Sequence, residues 1–185
     1  MALRLFSADR RGMYHEGPLT LMKEPPRIEY GFLNANDGTS TSDDLRVHCL
    51  ELFPEGLSIH GWQFLTSRNW VQGQNEPFLT HNEGIELVFE FVRLAHFPDR
   101  PSRMQSYFAF DSIEQVKSFS DAPVYEMMPA ASFMADMNWL KVGGQFAYAS
   151  YNAHQYWRGA ATPDPRWEYL LVPPVVIQIV PIANG

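Results

Sequence analysis

Glu168 stands in Trp167-Glu-Tyr-Leu-Leu-Val172, a run that is otherwise apolar. A carboxylate between Trp167 and Tyr169 loses hydration unless it reaches solvent, finds a partner or lines a polar cleft. Strand alternation puts Glu168, Leu170 and Val172 on one face and Trp167, Tyr169 and Leu171 on the other. One face therefore mixes a charge with aliphatics. A strand-end glutamate reaching water fits the same pattern. The second candidate is Tyr107, at the head of Tyr107-Phe-Ala-Phe110. A tyrosine that opens a strand leading directly into a helix is placed to bind a flat ligand, and a core aromatic with a satisfied hydroxyl is the plainer alternative.

Other chemistry lacks its usual signs. The chain has no phosphate-binding glycine loop, no G-x-S-x-G elbow, no H-E-x-x-H and no cysteine cluster. Its six histidines, at 15, 48, 60, 81, 96 and 154, show no ligand spacing, so no metal site is expected. Cys49 is the single cysteine, which rules out an internal disulfide and favours a reducing compartment. His60 precedes Gly61, where a ligand or another backbone could come close; a histidine packed in a turn is the simpler reading.

Positioning these residues requires a mixed set of elements. Leu3, Leu5 and Phe6 favour a strand ended by Asp9-Arg-Arg-Gly12, and Pro18 to Leu21 reads as a second extended piece. Residues 23–44 form an aperiodic polar stretch, read as a surface loop whose acidic end caps the segment from Leu45. Ile85, Val88, Phe89 and Val92 make one helical stripe, with Glu86, Glu90 and Arg93 on the polar side, running to about Phe97 behind a Thr80-His-Asn82 cap. Ser112 and Gln115 fit a capping box for a helix carrying Ile113, Val116 and Phe119. Beyond it come a strand over 123–128, a turn or short helix over 136–140, and a helix over 145–157. The chain then closes with strands over 167–172 and 175–180, separated by Pro173-Pro174. Helix and strand alternate without βαβ spacing, which predicts a single-domain α+β fold.

The 185 residues suit one domain, and aromatics make up 14% of them. The net charge of −7 disfavours non-specific nucleic-acid binding. No run approaches the roughly 20 apolar residues of a membrane span, and the N-terminal run is broken by charges, unlike a secretory signal. The expected location is the cytoplasm, or another cell into which the protein is delivered.

The order of Tyr107-Phe-Ala-Phe-Asp-Ser-Ile-Glu-Gln-Val, then Val124-Tyr-Glu-Met-Met, then Glu168-Tyr-Leu-Leu-Val-Pro-Pro resembles the ADP-ribosyltransferase fold. It is most similar to the small bacterial branch with the rifampin ADP-ribosyltransferases, and to an uncharacterised bacterial family with P-S-R-x-x-S and E-Y-L-L patterns. The resemblance implies a split, antiparallel-rich sheet with flanking helices that binds NAD. It implies that Tyr107 stacks on nicotinamide and that Glu168 orients the ribose and stabilises an oxocarbenium-like transition state. On the cofactor side it implies Ser7, Ala8, Arg10, Arg103, Ser106 and Tyr107. The usual histidine and following glycine of the first strand fall on Ser7 and Ala8, with His15 the alternative under another count; a serine anchors a ribose hydroxyl more weakly. Arg4, Arg10 and Arg103 are candidates for the cofactor phosphates. The function implied is ADP-ribosyl transfer from NAD to a protein, nucleic-acid or small-molecule acceptor, in a bacterial toxin, defence or effector role. Its alternative is a catalytically silent member of the fold that binds a nucleotide or a protein.

Overall fold

Two long strands near the C-terminus organise the chain. In the computed structural model, which describes residues 3–10, 12–14, 17–26, 42–66 and 81–180, β4 (Val124–Asp136) and β5 (Trp167–Ile179) pair antiparallel along their length. β1 (Leu5–Ala8) adds to β4, while β2 (Pro18–Leu19) and β3 (Tyr107–Ala109) occupy separate stretches of the other edge of β5. Strands from both ends of the chain thus share one antiparallel sheet. Reciprocal backbone hydrogen bonds between Phe6 and Phe110, at 2.7 and 2.8 Å, bring β1 against the residue that follows β3. The sheet is curled enough to bring these two edges together.

Five α-helices accompany the sheet among the described residues: α1 (Ser42–Leu52), α2 (Ile59–Thr66), α3 (His81–His96), α4 (Ile113–Phe119) and α5 (Phe146–Arg158). The α+β class expected from the sequence is what the chain adopts. One sheet face buries Leu5, Tyr107, Ala109, Met127, Tyr169 and Leu171 together. The other packs Phe133, Ala135 and Leu170 against Ile85, Phe89 and Val92 of α3 and Ala153, Tyr156 and Trp157 of α5.

The details depart from expectation at several places. Residues 42–44, read as loop, already belong to α1, with Asp43 and Asp44 in its first turn where acidic groups favour the helix dipole. His60 lies within α2 and not in a turn. Pro173-Pro174, expected to separate two strands, lies inside β5 as a cis pair. The prolines fall where the β4 register shifts between Pro129 and Ala131, so their missing N–H groups interrupt no regular ladder. The strand expected over 123–128 continues to Asp136, leaving a single 3-10 turn, Met137–Trp139. Glu86, Glu90 and Arg93, assigned to the outer side of α3, are buried, and Leu87, Phe91 and Leu94 are exposed instead. Residue 15, residues 27–41 of the expected loop and the Thr80 cap lie outside the described residues.

Gly61 explains how α2 sits so close to the 3-10 turn Arg103–Gln105 that precedes β3. A Cβ built there would overlap the carbonyl oxygen of Met104, well inside van der Waals contact. Gly61→Ala is therefore expected to cost about 2 kcal/mol or more, read as a lower urea midpoint with an unchanged slope. A neutral substitution would show that α2 is free to move away.

Candidate functional site

The turn Pro101-Ser-Arg-Met-Gln-Ser106 delivers one side chain to the interior. Ser102 caps the 3-10 turn Arg103–Gln105 by accepting from Met104 N, and this holds Arg103 inward at 5% exposure. The Arg103 guanidinium forks onto Glu86 of α3. Nε lies 3.2 and 3.0 Å from the two carboxylate oxygens and Nη2 3.0 Å from Oε1. On its other side Nη1 donates to Glu168 Oε1 at 2.6 Å and to the Tyr156 hydroxyl at 2.5 Å. Tyr156 in turn donates to Glu168 Oε1 at 2.7 Å. Four elements, α3, the turn before β3, α5 and β5, therefore converge on one buried polar network.

Low solvent access sharpens its electrostatics. Burial alone would raise the Glu86 carboxyl, but the Arg103 guanidinium and His60 outweigh it and hold the group at about 2. Burial opposes the charge on Arg103, yet Glu86, Tyr156 and Glu168 keep it protonated well above the usual range. Tyr156 is pushed up by burial, with Glu168 adding to this and Arg103 opposing it, so it stays a phenol able to donate. Glu86 has its folded-state value below the unfolded one of 4.5. Its contribution, on the order of 3 kcal/mol, is thus complete above pH 4.5 and lost as pH falls toward 2. Urea midpoints from pH 6 to pH 2 should fall more steeply for the wild type than for Glu86→Gln; equal slopes would contradict the pairing.

Around the network lie two solvent-open hollows. One, with a cavity volume of about 200 Å³, is lined by Glu168, Arg103 and His60 with aromatic walls from Phe108, Phe110 and Phe119. The other, with a cavity volume of about 80 Å³, is lined by Tyr107, Ser106, Tyr14 and Asp9. They share Ser7, Ala8, Arg10, His60 and Phe108. Both are smaller than the usual small-molecule site, so a bound ligand would extend into the open space before them.

The site residues named from the sequence are thus only partly brought together. Ser7, Ala8 and Arg10 border both hollows, and Arg10 is exposed there. Ser7 Oγ lies 3.3 Å from the Tyr14 hydroxyl. Glu168 and Tyr107, by contrast, lie on opposite faces of the β3–β5 pair. Tyr107 opposes Leu171 and Phe108 opposes Leu170, so the face of Glu168 is the face of Phe108. The Tyr107 hydroxyl donates to Thr20 O at 2.9 Å and burial raises its proton affinity. Ser106, fully buried, donates to Ser102 O at 2.7 Å. Arg103 is saturated by two carboxylates and not free for phosphates, and Arg4 pairs with Glu126 at the surface. Besides Tyr156, Phe108 reaches the charges, its ring 4.8 Å from the Arg103 guanidinium carbon and 4.7 Å from the His60 ring.

Glu86, Tyr156 and His60 complete the site; Glu86 and Tyr156 were not read from the sequence as parts of it, and His60 was read there only as a residue beside a glycine that a ligand could approach. His60 Nε2 is 3.1 Å from Glu86 Oε1, without the alignment of a hydrogen bond. The available signal was on α3. Leu87, Phe91 and Leu94 make a second apolar row, so the helix is not polar on one side, and the acidic row between the two can face inward.

The chain is thus an α+β protein with a buried carboxylate and guanidinium network beside an aromatic-walled cleft. Residues 65–181 match the model of a family described as "Protein of unknown function (DUF2441)", and the chain belongs to that family. The match spans Glu86, Arg103, Tyr156 and Glu168, while β1 and His60 precede it. No curated protein matches the chain. Among the described residues no helix is long and apolar enough to cross a membrane.

Proposed function

We propose that the protein transfers ADP-ribose from NAD, with Glu168 as the group that stabilises the positive ribose centre as nicotinamide leaves. The observation that carries this reading is the position of Glu168. Its carboxylate lies at the start of β5, on the wall of an aromatic-lined cleft that Ser7 of β1 also lines. Developing positive charge on a sugar is favoured by a preorganised carboxylate in a site of low water content. Arg103 and Tyr156 fix the orientation of Oε1, and the network counts two carboxylates against one guanidinium, an excess that favours a cation beside it. Phe108 and Phe110 supply faces for a planar leaving group, and Arg10 offers a cation at the mouth for phosphates. NAD enters as co-substrate, and the acceptor is a protein, nucleic acid or small molecule.

One observation favours a silent, nucleotide-binding member of the same fold. Glu168 Oε1 already accepts two hydrogen bonds, and Ser7 reaches a ribose hydroxyl less far than a histidine. Purified protein incubated with NAD decides between them, with free nicotinamide measured by chromatography and NAD affinity by calorimetry. Release above the spontaneous rate is the expected result. Binding without release would support the silent reading, and neither binding nor release would overturn both.

A further inference from the structure

His60 is the residue common to both hollows that has acid–base chemistry near neutral pH. Its ring is held between Phe64 at 4.5 Å and Phe108 at 4.7 Å. Nε2 is sealed from solvent 3.1 Å from Glu86 Oε1, while the side chain as a whole keeps 18% of its exposure. The open part of the ring therefore lies away from Nε2. Among the described residues neither ring nitrogen makes an aligned hydrogen bond. The contact with Glu86 is weak while the imidazole is neutral and becomes a charge pair once a proton arrives. The polar and charged groups of the surrounding elements are Glu86 from α3, Arg103 before β3, Tyr156 from α5, Glu168 from β5, and Asp9 and Arg10 after β1, the last two of opposite charge. Glu86 and Glu168 exceed Arg103 by one negative charge, which a proton on His60 cancels.

We propose that His60, braced by Glu86, is the proton acceptor of this site, taking the proton that a hydroxyl or other protic acceptor gives up as it bonds to the ribose. This rests on the reading of the protein as an ADP-ribosyltransferase. As the bond between ribose C1′ and the nicotinamide nitrogen breaks, its electron pair leaves with neutral nicotinamide. The acceptor atom bonds to C1′, and its proton passes to His60 and then to solvent. The positive charge of the nicotinamide ring is thereby exchanged for one released proton, and no other reactant is required.

Methanol is the hydroxyl probe and azide, an anion with no proton to lose, is the control nucleophile. The expected result is that His60→Asn forms methyl ADP-riboside about 100-fold more slowly than the wild type, in keeping with general-base catalysis. Azide restores nicotinamide release in the variant, and any change in NAD affinity by calorimetry is far smaller than the loss of rate with methanol. A wild-type rate with methanol in His60→Asn overturns the proposal alone. So does a loss that azide does not restore, or one matched by a loss of NAD affinity. Absence of release by the wild type with every nucleophile overturns the transferase reading and this proposal with it. Should the variant fail to fold, the wild-type profile from pH 5.5 to 8 serves: the methanol rate rises with pH while the azide rate stays level, and a level methanol profile overturns the proposal.

Discussion

Replacing Glu168 by Gln is expected to abolish nicotinamide release, by a factor on the order of 1,000 or more, while the protein stays folded. The exchange is nearly isosteric, and the amide oxygen can still accept from Arg103 Nη1 and the Tyr156 hydroxyl, which lie 2.6 and 2.7 Å from Oε1. What is lost is the negative charge. At 3% exposure of Glu168 water does little to replace it, so the missing interaction falls on the transition state and not on the ground state. NAD affinity should therefore change far less than turnover. Single-turnover release of nicotinamide at saturating NAD measures the first, and calorimetry the second. Turnover at the wild-type rate would remove Glu168 from the reaction.

The largest effect on stability is expected at Arg103. Its guanidinium joins Glu86 to Glu168 across 17 and 65 positions of sequence. Replacing a buried ion pair by an apolar cluster can be neutral, but removing one partner leaves the others charged and unpaired. Arg103→Met leaves two carboxylates facing one another at 4% and 3% exposure, so a loss of about 3 to 5 kcal/mol is expected in urea unfolding. Arg103→Lys should fall between, since a point charge cannot fork onto Glu86 and still reach Glu168. Adding Glu86→Gln to Arg103→Met should recover part of the loss by removing one unpaired charge. A loss under about 1 kcal/mol for Arg103→Met would mean that the network is solvated.

What the sequence disclosed depended on how local each signal was. Ser112 accepts from Gln115 N at 3.2 Å, as the capping pattern required, because a cap is written in residues three apart. The reciprocal half of the box is not made. Gln115 instead donates to Trp167 O at 3.1 Å, tying α4 to the start of β5 beside Glu168. The face shared by Glu168 and Leu170 was equally legible, since strand alternation needs no knowledge of neighbours. By contrast α2 was obscured by Gly61, which reads as punctuation but is required by the backbone of Met104. Arg103 looked like a free cation because its partners lie on other elements. The inward turn of Glu86, Glu90 and Arg93 was hidden by a stripe, Ile85 to Val92, that is real and buried yet covers only part of the inner surface of α3. Tyr107 was paired with Glu168 by order along the chain, and the β3–β5 register sets them on opposite faces.

The expectation that NAD sits against Glu168 is open to direct observation in the inert Glu168→Gln protein, crystallised with NAD. The nicotinamide ribose should lie in the hollow lined by Glu168, Arg103, His60 and Phe108, with its 2′-hydroxyl in hydrogen-bond reach of residue 168 and the phosphates toward Arg10. A nicotinamide ribose confined to the Tyr107 side, beyond reach of position 168, would contradict the assignment.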